Sequence, residues 1–155
     1  MGLQAAKPAN VQIKTIKANW TEASAHKAVS SWLKLSTSQQ SVLDAIAAQD
    51  DSMALGARKA FQEIHDSAAR ERWLKVPFLG IDGMPRTGQT DVHRGLLAAT
   101  IIVPTNTGMG LEMLARTFNS GVNPPEKTLT VAQSFPSIEE LARKRNQKAH
   151  ASGAH

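Results

Sequence analysis

Residues 42–83 constrain the fold more than any other stretch, because they read as a strand, a helix and a second strand. Residues 42–48 are nearly all apolar and end at a cluster of acids, which is typical of a parallel strand buried on both faces. Apolar residues then recur at helical spacing, and residues 76–81 form a second apolar run that ends at Asp82. Because neighbouring parallel strands end at one edge of a sheet, we expect Asp50 and Asp82 at the edge where open α/β sheets bind ligands.

The rest of the chain continues the alternation of strands and helices. Residues 11–17 alternate as an edge strand does, and Asn19 followed by Glu22 resembles a capping box that opens a helix. Residues 36–41 read as a loop and 65–72 as a polar connector. The later elements are predicted at 91–94 (short helix), 96–103 (strand), 107–121 (helix with Leu111, Leu114, Ala115 and Phe118 on one face), 129–132 (strand) and 138–148 (helix). This order predicts an α/β fold, a parallel sheet with flanking helices.

Composition excludes several classes of protein. The 155 residues suffice for one domain, no apolar run is long enough to span a membrane, and the start of this chain lacks the pattern of a signal peptide. With no cysteine, the chain forms no disulfide and no Cys-ligated zinc site. The charge of +5 is dispersed apart from residues 143–148, and there is no tyrosine to stack on bases, so no nucleic-acid partner is predicted.

A catalytic interpretation has some support in the residue types. Two acids at strand ends would suit general acid–base chemistry, His65 and His93 would suit a proton shuttle, and His26 with His65 would suit a metal site. Against it, the sequence contains no nucleophile elbow, P-loop or HExxH motif. We therefore predict no enzyme activity, no catalytic residues, no metal site and no cofactor.

Four motifs occur in order between Val11 and Val131: Ala-Asn-Trp at 18–20, Ala-Gln-Asp-Asp-Ser-Met-Ala-Leu-Gly-Ala at 48–57, Gly-Ile-Asp-Gly at 80–83 and Leu-Ala-Ala-Thr-Ile at 97–101. Together they resemble the C-terminal half of the type I periplasmic sugar-binding proteins, the ribose-binding protein group. The same fold forms the effector domain of lactose-repressor-type regulators. In that family two α/β lobes close on a ligand, and the first lobe has no counterpart in this chain.

The resemblance implies a partial periplasmic-binding-protein-like type I fold with three regions. Residues 1–83 are the core βα units of the C-terminal ligand-binding lobe, 84–134 the crossover segment and remaining βαβ elements, and 135–155 a C-terminal helix and flexible tail. Residues 84–121 would lie on the first lobe in a complete protein. Here their apolar face needs another cover, so a homo-oligomer is predicted.

The resemblance also implies three ligand-binding residues. Trp20 matches an aromatic that packs on the sugar ring, Asp50 a position that hydrogen-bonds hydroxyls, and Asp82 an acid that accepts from two hydroxyls. Each has a structural alternative: Trp20 as a hydrophobic staple, Asp50 as a helix cap, and Asp82 as support for the Gly83 turn.

Two departures from the family pattern bear on the ligand. Val103 and Pro104 stand where a glutamine is usual, and Asp50 stands where asparagine is usual. Paired acids favour an amine-bearing ligand or raise one pKa by like-charge repulsion.

The resemblance thus implies a sugar- or polyol-binding module of an ABC-type import receptor, periplasmic or extracytoplasmic, in truncated or partial form. Its partners would be the solute and the importer's membrane subunits. The alternatives are the effector-binding domain of a lactose-repressor-type regulator and a dimerisation scaffold that binds no solute.

Overall fold

The computed structural model describes residues 11–152, so the first ten residues and the end of the predicted tail lie outside it. Its elements, in chain order, are α1 (Glu22–Leu33), α2 (Ser36–Gln39), β1 (Ile46–Ala47), α3 (Asp51–Gln62), α4 (Ser67–Leu74), β2 (Phe78–Asp82), α5 (Gly88–His93), β3 (Ala99–Ile102), α6 (Thr107–Ser120), β4 (Gln133–Phe135) and α7 (Ile138–Ser152). The predicted α/β class is confirmed.

The sheet has four strands in the order β1-β2-β3-β4. β1, β2 and β3 are parallel, with Leu79 beside Ala99 and Asp82 beside Ile102 in the β2–β3 register. β4 is antiparallel to β3, so the predicted parallel sheet is mixed at this edge. The strand–helix–strand unit at the centre of the sequence lies where the pattern placed it, as β1, α3 and β2.

An aromatic cluster joins the helices to the sheet. Phe61 on α3 lies 5.2 Å from Trp73 of α4 and 5.9 Å from Phe78 of β2, measured between ring centroids. Trp32 of α1 packs edge-on against Phe61 and Trp73. Phe61, Trp73 and Phe78 are each at most 4% exposed. Offset and edge-on pairs of this kind stabilise by about 1 kcal/mol each beyond their burial. Trp73 is therefore a core residue, and the partly buried Trp32 packs against the same cluster.

Several predicted elements differ from the structure. Residues 11–17 form no strand, since nothing in the described part of the chain covers their apolar side, and Ile13 is 62% exposed. The last strand pairs at Gln133–Phe135 and not at 129–132. The predicted connector contains helix α4, which begins where Asp66 accepts a hydrogen bond from the Ala69 amide (2.6 Å). Residues 36–39 form a helical turn within the predicted loop.

The cap of α1 also differs from the prediction. Thr21, not Asn19, is the N-cap, and Ser24, not Glu22, completes the capping box. A hydroxyl at the third helical position can replace the usual Glu because both reach back to the cap amide.

Helix α6 is present as predicted and ends at Gly121, whose φ of +69° is the left-handed conformation typical of a helix C-cap. None of its residues is buried. Leu111, Leu114 and Phe118 are 66%, 55% and 85% exposed. The predicted apolar stripe therefore exists but is uncovered. No helix in the described range is long and apolar enough to cross a membrane, and the division into three regions stays a prediction.

Candidate functional site

Asp50 follows β1 and caps α3. Its Oδ1 accepts hydrogen bonds from the Met53 amide (2.6 Å) and the Ser52 hydroxyl (2.7 Å), and the residue is 7% exposed. The helix-cap alternative is confirmed, because this geometry satisfies an otherwise unpaired amide of the first turn. Both bonds use Oδ1, so the cap leaves Oδ2 available to another donor.

Asp82 is the last residue of β2 and lies at the same sheet edge. Its backbone has φ +105°, which non-glycine residues adopt rarely, and Gly83 follows at φ +60°. The side chain is exposed. Partial burial raises the pKa of the Asp82 carboxyl, and the carboxylates of Asp51 and Asp50 raise it further. The two predicted acids therefore lie close enough to repel each other.

A third acid, Asp51, organises this edge, and sequence reasoning missed it as a site residue. Asp51 is 5% exposed; its Oδ1 accepts from the Thr100 hydroxyl on β3 (2.6 Å) and its Oδ2 from the Gly83 amide (2.9 Å). A Cβ at Gly80 or Gly88 would overlap this carboxylate, so the backbones of β2 and α5 pack directly on it. Gly80 and Gly88 are the sequence signal for this packing, because a backbone can approach a side chain this closely only where it carries no Cβ.

Trp20 immediately precedes α1 and is 64% exposed, with φ +54°. Most of the residue is therefore open to solvent, and both the ring-stacking role and the staple role of Trp20 stay predictions. Two contacts show that α1 and α3 run in the same direction: Glu22 lies 4.0 Å from Lys59, and four residues later His26 lies 2.7 Å from Glu63. The first turn of α1 therefore lies beside Gly56 and Lys59 in α3, and Trp20 lies on the side of that turn that leads towards Asp50.

The histidines lie elsewhere. His26 pairs with Glu63 at the far end of α3 from Asp50, and His93 packs edge-on against Phe135. Within residues 11–152 no group of three His, Asp or Glu side chains could hold a metal ion. In these contacts neither His26 nor His93 pairs with Asp50, Asp51 or Asp82.

The raised pKa of Asp82 gives a pH prediction. An acid whose pKa is higher folded than unfolded contributes stability that is complete below its ordinary pKa and is lost as pH rises through the folded value. Asp82→Asn removes this loss, so we expect the variant to gain stability over the native chain as pH rises through that window. Urea unfolding at several pH values measures the difference. A native-like profile for Asp82→Asn would contradict the assignment.

No family model matches the chain, and no curated protein matches it. Among solved structures it is similar to a fructose-binding periplasmic domain of a hybrid two-component system (TM-score 0.68, 24% identity, 99% of this chain and 48% of that chain). It is also similar to the periplasmic binding protein of an arabinose ABC transporter from Shewanella sp. ANA-3 (0.65, 21%, 99% and 50%). A LacI-family transcriptional regulator from Arthrobacter sp. FB24 is similar too (0.56, 21%, 81% and 42%).

These similarities show the fold. The chain has the type I periplasmic-binding-protein fold over about half the length of the two periplasmic binding proteins. The descriptions of these three structures name binding proteins and a regulator, and no enzyme.

Proposed function

We propose that this chain, which has the fold of one half of a type I periplasmic binding protein, is a solute-binding module for a sugar or polyol-like molecule. The observation that carries the proposal is that Asp50 follows β1 and Asp82 ends β2, the neighbouring parallel strand, so both acids lie towards the carboxyl edge of the sheet. The buried carboxylate of Asp51 accepts a hydrogen bond from the Gly83 amide beside Asp82. Open α/β sheets bind ligands at this edge. The solved structures of similar fold are described as binding fructose and arabinofuranose.

Each of the three side chains would make a different kind of contact with the solute. An ionised carboxylate only accepts hydrogen bonds, so exposed Asp82 and the free Oδ2 of Asp50 suit a ligand with adjacent hydroxyl donors. The exposed indole of Trp20 offers a flat apolar surface to the C–H face of a sugar ring. None of these roles needs a catalytic step, a metal or a cofactor.

The site is rich in negative charge. Within the described residues no lysine, arginine or histidine forms an ion pair with Asp50, Asp51 or Asp82. A ligand that brings an ammonium group would offset the repulsion among them. We therefore include amino sugars and amino polyols among the candidate solutes.

In a complete receptor the partners would be the membrane subunits of an ABC importer, at a periplasmic or extracytoplasmic location. The similarity to a LacI-family regulator supports a second candidate, the effector-binding domain of a regulator. The complete gene distinguishes the two: an upstream signal peptide supports the receptor, and a helix-turn-helix supports the regulator. The uncovered stripe of α6 further supports self-association.

The solute proposal is tested by titrating sugars, polyols and amino sugars while recording amide NMR spectra of the 155-residue chain. Because half a cleft covers little of a small ligand, we expect a dissociation constant of about 1 mM. Shifts should concentrate at residues 19–21, 50–53 and 82–84. Asp82→Asn should weaken binding about tenfold through loss of a charged acceptor, and Trp20→Ala about fivefold through loss of the ring contact.

Asp44→Asn serves as the matched control, since it removes an exposed carboxylate at the opposite end of β1. It should bind like the native chain. If no solute shifts these amides, or if the control loses as much affinity as Asp82→Asn, the site assignment is wrong. A chain that self-associates but binds no solute would instead support the scaffold alternative.

A further inference from the structure

A cavity of about 560 Å³ lies at the end of the molecule away from Asp50, between the end of α1, α2 and α4. Helix α3 separates it from the candidate solute site, because Asp50 caps the start of this helix and Ile64, which lines the cavity, follows its end. Twelve residues of α-helix span about 18 Å, so one small ligand cannot reach both places. The cavity is therefore a separate candidate site.

The floor of this cavity is apolar and continuous with the core. Leu33 and Ile64 are partly buried against the core cluster, and Trp73 is a buried member of it. One wall is held by Ser38, which is 2% exposed and donates hydrogen bonds to the carbonyls of Leu33 (3.0 Å) and Leu35 (2.7 Å). Preformed pockets of about 300–1,000 Å³ with an apolar lining are the usual binding sites of small molecules.

Two opposite charges stand at the rim of the cavity. Asp66 caps α4 by accepting from the Ala69 amide through Oδ1 (2.6 Å), which leaves its Oδ2 available to another donor. The guanidinium of Arg72 lies 4.6 Å from the centroid of the Trp73 ring, a cation–π contact that holds it against the cavity wall. Among the described side chains neither Asp66 nor Arg72 forms an ion pair. The cavity therefore offers a partner for a cation and a partner for an anion beside an apolar floor.

We infer that this cavity binds a short apolar peptide with free termini. The peptide's ammonium group pairs with Asp66, its carboxylate with Arg72, and its side chains pack on Leu33 and Ile64. Asp66 and Arg72 are six residues apart along α4, a rise of about 9 Å, and an extended chain spans about 3.5 Å per residue. Two or three residues bring the termini to that separation, and a single amino acid does not. This site is independent of the proposed solute site.

The test is amide NMR titration of the 155-residue chain with leucyl-leucine. We expect a dissociation constant of about 1 mM, with shifts at residues 33–39, 64–69 and 72–73 and none at 50–53 or 82–84. N-acetyl-leucyl-leucine amide keeps the side chains without the charges, and glycylglycine keeps the charges without the side chains. Each should bind about tenfold more weakly, and so should leucine, which is too short. Absence of shifts with leucyl-leucine, or equal affinity for any of these three probes, would overturn the inference.

Two substitutions test the charges separately. Asp66→Asn removes the charge and keeps the helix cap, since asparagine caps as well as aspartate, and it should weaken leucyl-leucine binding about fivefold. Arg72→Gln removes the paired donors of the guanidinium and should weaken it about tenfold. Lys75→Gln is the matched control, because Lys75 is an exposed cation at the end of α4 that does not line the cavity. Equal losses for Arg72→Gln and Lys75→Gln would overturn the inference.

Sugar titration of Arg72→Gln keeps the two proposals apart. The variant should bind sugars, polyols and amino sugars as the native chain does, because α3 separates Arg72 from Asp50. Loss of peptide binding with unchanged solute binding supports the cavity as a second site. Equal loss of both in Arg72→Gln would overturn the inference that the cavity is separate, whereas a native chain that binds peptide and no sugar contradicts only the proposed solute function.

Discussion

Asp51→Ala is expected to lower the free energy of unfolding by about 3 kcal/mol. The substitution removes the acceptor of the Thr100 hydroxyl and of the Gly83 amide, and both donors stay buried. It also empties the space between Gly80 and Gly88, whose backbones pack on the carboxylate. A domain of this size is stable by about 5–15 kcal/mol, so the loss is a large part of the total. Urea unfolding measures it.

Two related substitutions separate the hydrogen bonds from the packing. Asp51→Asn keeps the shape, its amide oxygen can accept from Gly83, and its NH2 can donate to the Thr100 hydroxyl, which is both donor and acceptor. We expect a loss of about 1 kcal/mol for Asp51→Asn and a similar loss for Thr100→Val. Asp44→Ala, at an exposed acid, should cost less than about 0.5 kcal/mol. Equal losses for Asp51→Ala and Asp44→Ala would contradict the role of Asp51.

The substitution also tests the site. Gly83 is held by Asp51 immediately after Asp82, so the positive φ of Asp82 depends on this contact. In Asp51→Asn, which should remain folded, we expect weaker solute binding in the same NMR titration. A neutral amide oxygen accepts from the Gly83 amide more weakly than the carboxylate does, so the turn beside Asp82 is held less firmly although Asp82 itself is unchanged.

The central unit could be predicted from sequence because its signals are local. The apolar runs of β1 and β2 and the helical period of α3 each lie within about a dozen residues, and Asp50 lies where a cap belongs. The adjacent acids Asp50 and Asp51 could not be told apart. Asp50 caps the helix, and Asp51 contacts Thr100 and Gly83. Those two residues are remote in sequence, so only the packed structure shows which acid reaches them.

The other differences also arise from tertiary contacts. Residues 11–17 have the alternation of a strand, yet a strand needs a neighbour and no element of the described chain pairs with them. Helix α4 was missed because seven of its eight residues are not buried and its sequence is polar; Trp73 and the Asp66 cap hold it. The stripe of α6 was read correctly as helical, but periodicity does not reveal what covers a stripe.

Gly56→Ala gives the second large effect, through the packing of α1 on α3. A Cβ at Gly56 would overlap the backbone carbonyl of Glu22, and a backbone atom cannot turn aside as a flexible side chain does. The first turn of α1 must therefore move away from α3, which loosens the contacts of Ala25 and Val29 in the core. Such overpacking costs about 1–3 kcal/mol, more than the roughly 1 kcal/mol that alanine gains over glycine inside a helix. We expect a net loss of about 1 kcal/mol in urea unfolding.

Gly110→Ala is the matched control, since Gly110 also lies inside a helix and a Cβ there meets nothing within 4 Å. It should gain up to about 1 kcal/mol from helix propensity alone. The two substitutions are chemically identical, so opposite signs isolate the contact with α1. Because Trp20 precedes the turn that moves, Gly56→Ala should also weaken solute binding while Gly110→Ala leaves it unchanged. If both variants gained stability, the first turn of α1 would move at Glu22 without cost. The contact between Gly56 and Glu22 would then not determine the position of Trp20.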